Sequence, residues 1–365
     1  MSPQTAELGP DQPNLDSDDA EHYTLLRESI AKVLEDRCDS RSLHDYIDGK
    51  NILDEDLWSH AVELGWFAIS APETTGGLGM GWGGLSILFA ELGRHAAPGP
   101  YLETLVASEV LNGPDVRETC DDVAAQLIAG DISAAVPANG SSATGEVVTL
   151  LGSPSASVAL VHDGDGHLLL LSVPAGMAEA IPTWDLTRSL VRLRTTDCKV
   201  IFKLPTTATS RFLTALALGI AHDSVGGSAS ISERTQAYLK ERIQFGKPLA
   251  SFQALKHRIA NQASANAVNE QLCVQACATA DQGTDLAAMW ALLAKAETTD
   301  TFVNVAGDCL RLHGGVGFTW EFDPHIFLKR ARLNEMLLDT NNQLRDKAAA
   351  ILKTETNGLR TTLEI

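Results

Sequence analysis

From Thr206 onward, apolar residues recur at helical spacing through stretches much longer than the usual globular helix. "FLTALALGIAHDSVGGSASISERTQAYLKER", "FQALKHRIANQASANAVNEQLCVQACATA", "DLAAMWALLAKAETTDTFVNVAGDCLRLH" and "HIFLKRARLNEMLLD", running on to "DKAAAILKT", make four candidates. Helices of this length need partners to bury their apolar stripes. Their Ala, Gly and Ser content lets neighbours approach closely, so a four-helix bundle is expected over residues 206–365.

The preceding chain changes texture twice. "HYTLLRESIAKVLEDRC" places Leu25, Ile30, Val33 and Leu34 on one stripe with charges opposite, and "DLWSHAVELGWFAI" is similar. A Gly-rich loop, "SAPETTGGLGMGWGGLS", leads into "LSILFAELGRHAAPGP", a helix ended by Pro98 and Pro100. "YLETLVASEVLNG" and "DDVAAQLIAG" read as shorter helices. After Gly130 come short β-branched and apolar runs punctuated by Gly, Ser and Asp, with a "DGDG" turn signal, and "LVRLRTTDCKVIFKLP" alternates as a strand does. The expected organisation is an acidic disordered tail over 1–18, a helical domain over 19–130, a small β domain over 131–205, and the bundle. The fold class is α+β, mainly α.

With 44% hydrophobic residues in 365, there is material for large cores in two or three such units. The formal net charge of −19 argues against nucleic acid and against an anionic membrane surface, both of which need a basic face. An anionic ligand would have to meet a local cluster of Arg and Lys. The six cysteines are scattered, and the closest pair, Cys273 and Cys277, has helical spacing without CxxC or nearby His partners. They read as small apolar core residues in a reducing compartment, with no metal site. The opening "MSPQTAELGPDQPNLDSDDAEH" lacks the apolar run of a signal peptide, and no stretch reaches membrane-spanning length without interruption. The expectation is a soluble cytoplasmic protein.

Two segments stand out chemically. In "ERIQFGKPLASFQALKHRIAN" (241–261), Gly246 and Pro248 make a turn and Ser251 is placed to cap the next helix. Arg242, Lys247, Lys256, His257 and Arg258 form a dense basic patch suited to a pyrophosphate, and Phe245 and Phe252 can flank a flat ring. The same residues also suit an ordinary helix–turn–helix with a solvated charged face. In "RLHGGVGFTW", Gly314 and Gly315 permit close approach of a ligand or another chain; a helix C-cap and tight turn explains them equally well.

Taken together, "QFG-x-P-x-x-x-FQ-x-x-KH" and "LHGGVGFTWE-x-D-x-H-x-x-x-KRA" resemble the acyl-CoA dehydrogenase family, as do "LGWFAISAPETTGGLGMGWGGLSILFAELGR" and "DLTRSLVRL" (185–193). The resemblance covers nearly the whole chain. It implies an α–β–α fold, FAD, an acyl-CoA substrate, electron-transfer flavoprotein as acceptor, and a tetramer with each flavin between subunits. By the same resemblance, Arg242 and Phe245 stand where the family contacts the FAD diphosphate and adenine end. Phe252 and Gln253 fall in the next contacting segment, Arg311 occupies a position usually held by Gln, and Gly314 and Gly315 carry backbone that packs on a neighbour's cofactor. Arg keeps a donor and adds charge, which a diphosphate tolerates.

The family's base is missing from both of its usual positions. A carboxylate must reach the α proton of the thioester directly, yet the position after "GGVGF" is Leu338 and the position in the first long bundle helix is near Leu216. Asp339, one residue from the first, and Asp223, roughly two turns from the second, are the alternatives. Each equally reads as a solvent-facing or helix-bonding acid. The family's Thr-Glu-Pro flavin loop is also absent from "VPANGSSATGEVVTLLGSPSASV", where Ser141 and Ser142 are the available hydroxyls. These losses resemble the smaller subunits of heteromeric α2β2 acyl-CoA dehydrogenases of bacterial steroid side-chain degradation. Three readings follow: a subunit completing a flavin site with a homologous partner that supplies the base, a self-sufficient homotetramer with Asp223 or Asp339 as base, and a non-catalytic scaffold.

Overall fold

The computed structural model describes residues 17–139 and 146–363, with side chains for 21–139 and 146–355. Ser141, Ser142 and residues 1–16 of the expected tail lie outside the described residues. The N-terminal part holds α1 (Ser17–Arg37), α2 (Ser40–Ile47), α3 (Leu53–Glu63), α4 (Gly81–Arg94), α5 (Tyr101–Leu111) and α6 (Asp121–Ala129). Asp39 caps α2, its carboxylate accepting from the Ser42 amide at 2.7 Å.

Seven short strands follow: β1 (Ala134–Pro137), β2 (Val147–Leu151), β3 (Val158–His162), β4 (Leu168–Ser172), β5 (Glu179–Ile181), β6 (Leu190–Arg194) and β7 (Lys199–Lys203). They form one sheet in the order β5-β6-β2-β1-β3-β4-β7, antiparallel except for the β1–β3 pair. The "DGDG" turn closes the β3–β4 hairpin, where Asp163 accepts from the amides of Asp165 and His167. One face of the sheet joins the main helical core through residues such as Val136, Leu160 and Leu170. The other face buries a smaller cluster including Leu150, Val161, Leu171 and Val191. The alternation along β2 and β6 sorts their side chains between faces.

The bundle contains α7 (Thr206–Glu241), α8 (Gln253–Asp281), α9 (Ala287–Leu312), α10 (Pro324–Met336) and α11 (Asn341–Leu363). A two-stranded hairpin, β8 (Ile243–Gln244) and β9 (Lys247–Pro248), joins α7 to α8. The fourth expected helix is thus two, broken where Leu338 adopts a left-handed φ of 73°. Tertiary contacts hold that break. The Leu338 amide donates to the Ala138 carbonyl at 2.8 Å, and the buried Lys295 Nζ donates to the carbonyls of Glu335 and Asp339 and to Asn341 Oδ1. Desolvation lowers the Lys295 pKa to about 8.

α4 and α7 cross with their backbones touching. A β-carbon at Gly93 would lie 2.0 Å from the Asp223 carbonyl oxygen, and one at Gly226 would lie 1.8 Å from that of Ala90. α8 buries polar residues against α7: Asn266 accepts from Ser228, and Gln262 accepts from Ser232. Cys38, Cys120, Cys273, Cys277 and Cys309 are buried as free thiols, and Cys198 is half-buried. No helix among the described residues is long and apolar enough to cross a membrane.

Candidate functional site

The end of α7, the start of α8 and the end of α9 meet at one edge of the bundle, and the residues singled out for cofactor contact gather there. Arg242 ends α7. Phe245 and Gly246 turn the β8–β9 hairpin, both with left-handed φ, and the Phe245 ring is 89% exposed. That ring meets Phe252 edge-on at 6.1 Å, and Lys247 Nζ lies 4.3 Å from the Phe252 ring centroid, a cation–π contact. Gln253 begins α8, its amide 3.2 Å from His257 Nε2. Ser251 does not cap that helix; its hydroxyl donates back to the Pro248 carbonyl within the preceding turn.

Arg311 lines a polar groove of about 400 Å³ between α8 and α9. Its neighbour there, Arg258, is already engaged by Asp308, with Nε donating at 3.1 Å. The side chains of Arg242 and Arg311, by contrast, have no hydrogen bond or ion pair to the described residues. Gly314 has φ +66°, and a β-carbon at Gly314 or Gly315 would meet nothing within 4 Å, so this turn presents open backbone. His313 beside it stacks on Tyr238 of α7 at 4.4 Å, tying the turn to the hairpin end.

Neither base position can take a proton. Leu216 is fully buried in α7, and Leu338 is buried against the sheet by its bond to Ala138. Asp223, the first alternative, is a counter-ion. Arg330 Nε donates to both carboxylate oxygens at 3.2 and 3.1 Å, Arg330 Nη2 donates at 2.5 Å, Arg188 at 2.8 Å and Asn334 at 2.7 Å. Burial pushes its pKa up, but the two guanidiniums outweigh this and hold the carboxyl below the usual range. Nothing in this arrangement leaves the carboxylate free for a substrate proton. Asp339 pairs with Lys347 at 2.7 Å, and its side chain is mostly covered.

The "DLTR" stretch serves the same buried knot. Asp185 accepts from the Thr187 amide and hydroxyl, while Arg330 donates to Thr187 Oγ1 at 2.8 Å and to the Ala97 carbonyl at 3.1 Å. Four segments of the chain are joined there: the α4–α5 connection, the β5–β6 connection, α7 and α10. Glu103 of α5 is buried nearby, one of its oxygens without a partner among the described residues, and burial raises its pKa to about 7. Neither Glu103 nor the pairing role of Arg330 was marked by any local sequence signal.

Beside Leu338 lies a crevice of about 360 Å³ between the sheet and α10. Its walls are mainly apolar, including Trp184, Leu333, Met336 and Leu337, and Lys329 is the one cation among its lining residues. No group of three or more potential metal ligands converges among the described residues.

The comparisons with known proteins agree with this architecture. The family model "Acyl-CoA dehydrogenase, N-terminal domain" matches residues 20–113, and "Acyl-CoA dehydrogenase, C-terminal domain" matches 206–352. The chain belongs to the acyl-CoA dehydrogenase family. It is 29% identical over 339 residues to acyl-CoA dehydrogenase IpdE2 of Mycobacterium tuberculosis (strain ATCC 25618 / H37Rv), covering 89% of this chain and 95% of that protein. Among solved structures, a variant of the Tcur3481–Tcur3483 steroid ACAD superposes with a TM-score of 0.81 at 23% identity, covering 93% of this chain and 99% of the other. The ChsE4–ChsE5 complex of Mycobacterium tuberculosis gives a TM-score of 0.75 at 22% identity, with coverage of 93% and 97%. At these identities the structural likeness bears on the fold.

Proposed function

We propose that this chain is one subunit of a heteromeric FAD-dependent acyl-CoA dehydrogenase, and that it completes a flavin site shared with a homologous subunit that supplies the base. The observation carrying the proposal is Leu338: the family's base position holds a buried aliphatic side chain whose backbone is latched to Ala138. Desaturation of an acyl thioester requires a carboxylate above the α carbon, and the alternatives in this chain are engaged by Arg188 and Arg330 or by Lys347.

The residues at the bundle edge fit a dinucleotide presented from outside the chain. Arg242 and Arg311 supply unpaired cations for a diphosphate, the exposed Phe245 ring beside the half-buried Phe252 offers a face to a flat heterocycle, and Gly314–Gly315 allow backbone approach. FAD, when bound, supplies the acceptor for the hydride leaving the β carbon. This chain's own part is to bind and orient the cofactor, and a protein such as electron-transfer flavoprotein is the proposed electron acceptor. The steroid enzyme among the structural neighbours suggests a bulky polycyclic acyl-CoA as the substrate class to try first.

The test is the visible spectrum of the chain purified alone and co-purified with the homologous subunit, before and after addition of acyl-CoA. Flavin bands confined to the complex and bleached by substrate are expected. A yellow, substrate-bleachable chain on its own would overturn the shared site.

A further inference from the structure

Gly314 and Gly315 carry no side chains, and the space a β-carbon would fill at either is open, so the turn they form has no anchor of its own on that side. What fixes it lies behind it, at His313. The turn folds back over that residue: a β-carbon at Gly317 would lie 2.8 Å from His313 Cβ and 2.5 Å from the Leu310 carbonyl oxygen. His313 is only 7% exposed, and its imidazole is held from three directions. Nδ1 donates to the Cys309 carbonyl at 2.8 Å. The Tyr238 ring of α7 stacks on one face, with centroids 4.4 Å apart and planes 19° from parallel. The Phe322 ring meets it edge-on at 6.3 Å.

Tyr238 reaches the turn by a second route. Its hydroxyl donates to the His313 carbonyl at 3.4 Å, which steadies the peptide plane that enters Gly314. It also belongs to the other half of the edge, because its carbonyl accepts the Arg242 amide at 2.9 Å and closes the last turn of α7. One residue therefore ties Arg242 on α7 to the glycine turn after α9, two segments that are far apart in sequence. A ligand spanning both binds more tightly when their spacing is fixed before it arrives.

We propose that Tyr238 is a positioning residue of the shared cofactor site: its ring, acting through His313, holds the Gly314–Gly315 turn in fixed relation to Arg242. The proposal rests on the shared-site reading above and adds that the edge is organised in advance from behind.

The test uses the full chain, alone and in complex with the homologous subunit. Tyr238→Leu removes the ring, and Tyr238→Phe keeps it while removing the hydroxyl. Leu127→Ala, in the buried face of α6, lowers global stability away from the edge. In the chain alone, hydrogen exchange of the peptide 311–318 should rise about tenfold in Tyr238→Leu and stay near the parent rate in the other two. In the complex, the flavin dissociation constant should rise about tenfold in Tyr238→Leu, the scale of one aromatic pair, and stay within about threefold of the parent in Tyr238→Phe. Leu127→Ala should leave it unchanged, so retention by Tyr238→Phe separates positioning by the ring from general loss of stability. Phe322→Leu removes the edge contact alone; a shift of about threefold in the same direction is expected, which keeps the test if Tyr238→Leu does not fold. A parent complex without flavin would overturn the shared site and this assignment with it. Flavin held equally by the parent and both ring variants, equal loss in Leu127→Ala, or unchanged exchange at 311–318 would overturn the role of Tyr238 and leave the shared site standing.

Discussion

Arg188 and Arg330 in the middle of the molecule, and Arg242 and Arg311 at the edge of the bundle, share one chemistry in opposite surroundings. The first pair is buried and committed to Asp223, Thr187 and the Ala97 carbonyl. The second pair is exposed, beside an aromatic hairpin and an open glycine turn, with no internal carboxylate. A buried guanidinium without counter-charge is untenable, so the middle of the fold must carry its own counter-charge, which Asp223 supplies. An exposed one costs little, so an edge that collects unpaired cations on a chain of net charge −19 is free to serve something outside it. The central arginines therefore belong to the fold, and those at the edge are the ones to test for binding.

The largest effect should come from breaking the knot. Asp223→Ala strands two buried guanidiniums, and a loss of about 3–5 kcal/mol in urea unfolding is expected. A variant as stable as the parent would show that the knot does not organise the fold. Glu103→Gln works in the opposite direction. Its folded pKa of about 7 lies above the unfolded value, so the neutral acid is tolerated below the unfolded pKa and stability is lost as pH rises through 7. The substitution should stabilise by about 2–3 kcal/mol at alkaline pH and by almost nothing near the unfolded pKa of an ordinary glutamate. A pH-independent effect would mean that the carboxylate is solvated or paired.

At the edge the prediction separates two readouts. Arg242→Ala should leave unfolding of the chain unchanged within about 0.5 kcal/mol. In the complex with its partner it should weaken flavin retention by about 10- to 100-fold, the loss of one charge-assisted contact. If stability fell and flavin retention held, the comparison would be reversed.

How much of this was legible depended on the range of the interactions. The three blocks of texture appeared in the sequence because periodicity is local, and so did the "DGDG" hairpin, whose Asp163 bonds amides two and four residues on. The edge residues came from motif resemblance, and the structure brings them together because the bundle aligns three helix ends. The break between α10 and α11 was not visible. "EMLLDTN" has no Gly or Pro, and Ala138 and Lys295, distant in sequence, hold Leu338 in its left-handed conformation. The knot was half visible: "DLTR" was recognised, but Arg330 meets Asp223 across 107 residues, a pairing that no local pattern encodes. Ser251 failed as a cap because α8 begins one residue later than a Ser cap requires, with Phe252 at the cap position, and the Ser251 hydroxyl donates to the Pro248 carbonyl in the preceding turn.

Asp339 gives the smallest expected effect and a sharp division between the remaining readings. Its ion pair with Lys347 lies near the surface, where such pairs contribute about 0–1 kcal/mol, so Asp339→Asn should barely move the unfolding midpoint. The backbone carbonyl that receives Lys295 is untouched by the substitution, so the turn carrying Leu338 keeps its geometry. With stability and turn preserved, any change in turnover must come from the carboxylate itself. If the partner supplies the base, kcat of the complex should be unchanged. A loss of about 100-fold or more, the usual scale for removing a general base, would place the base on this chain after all.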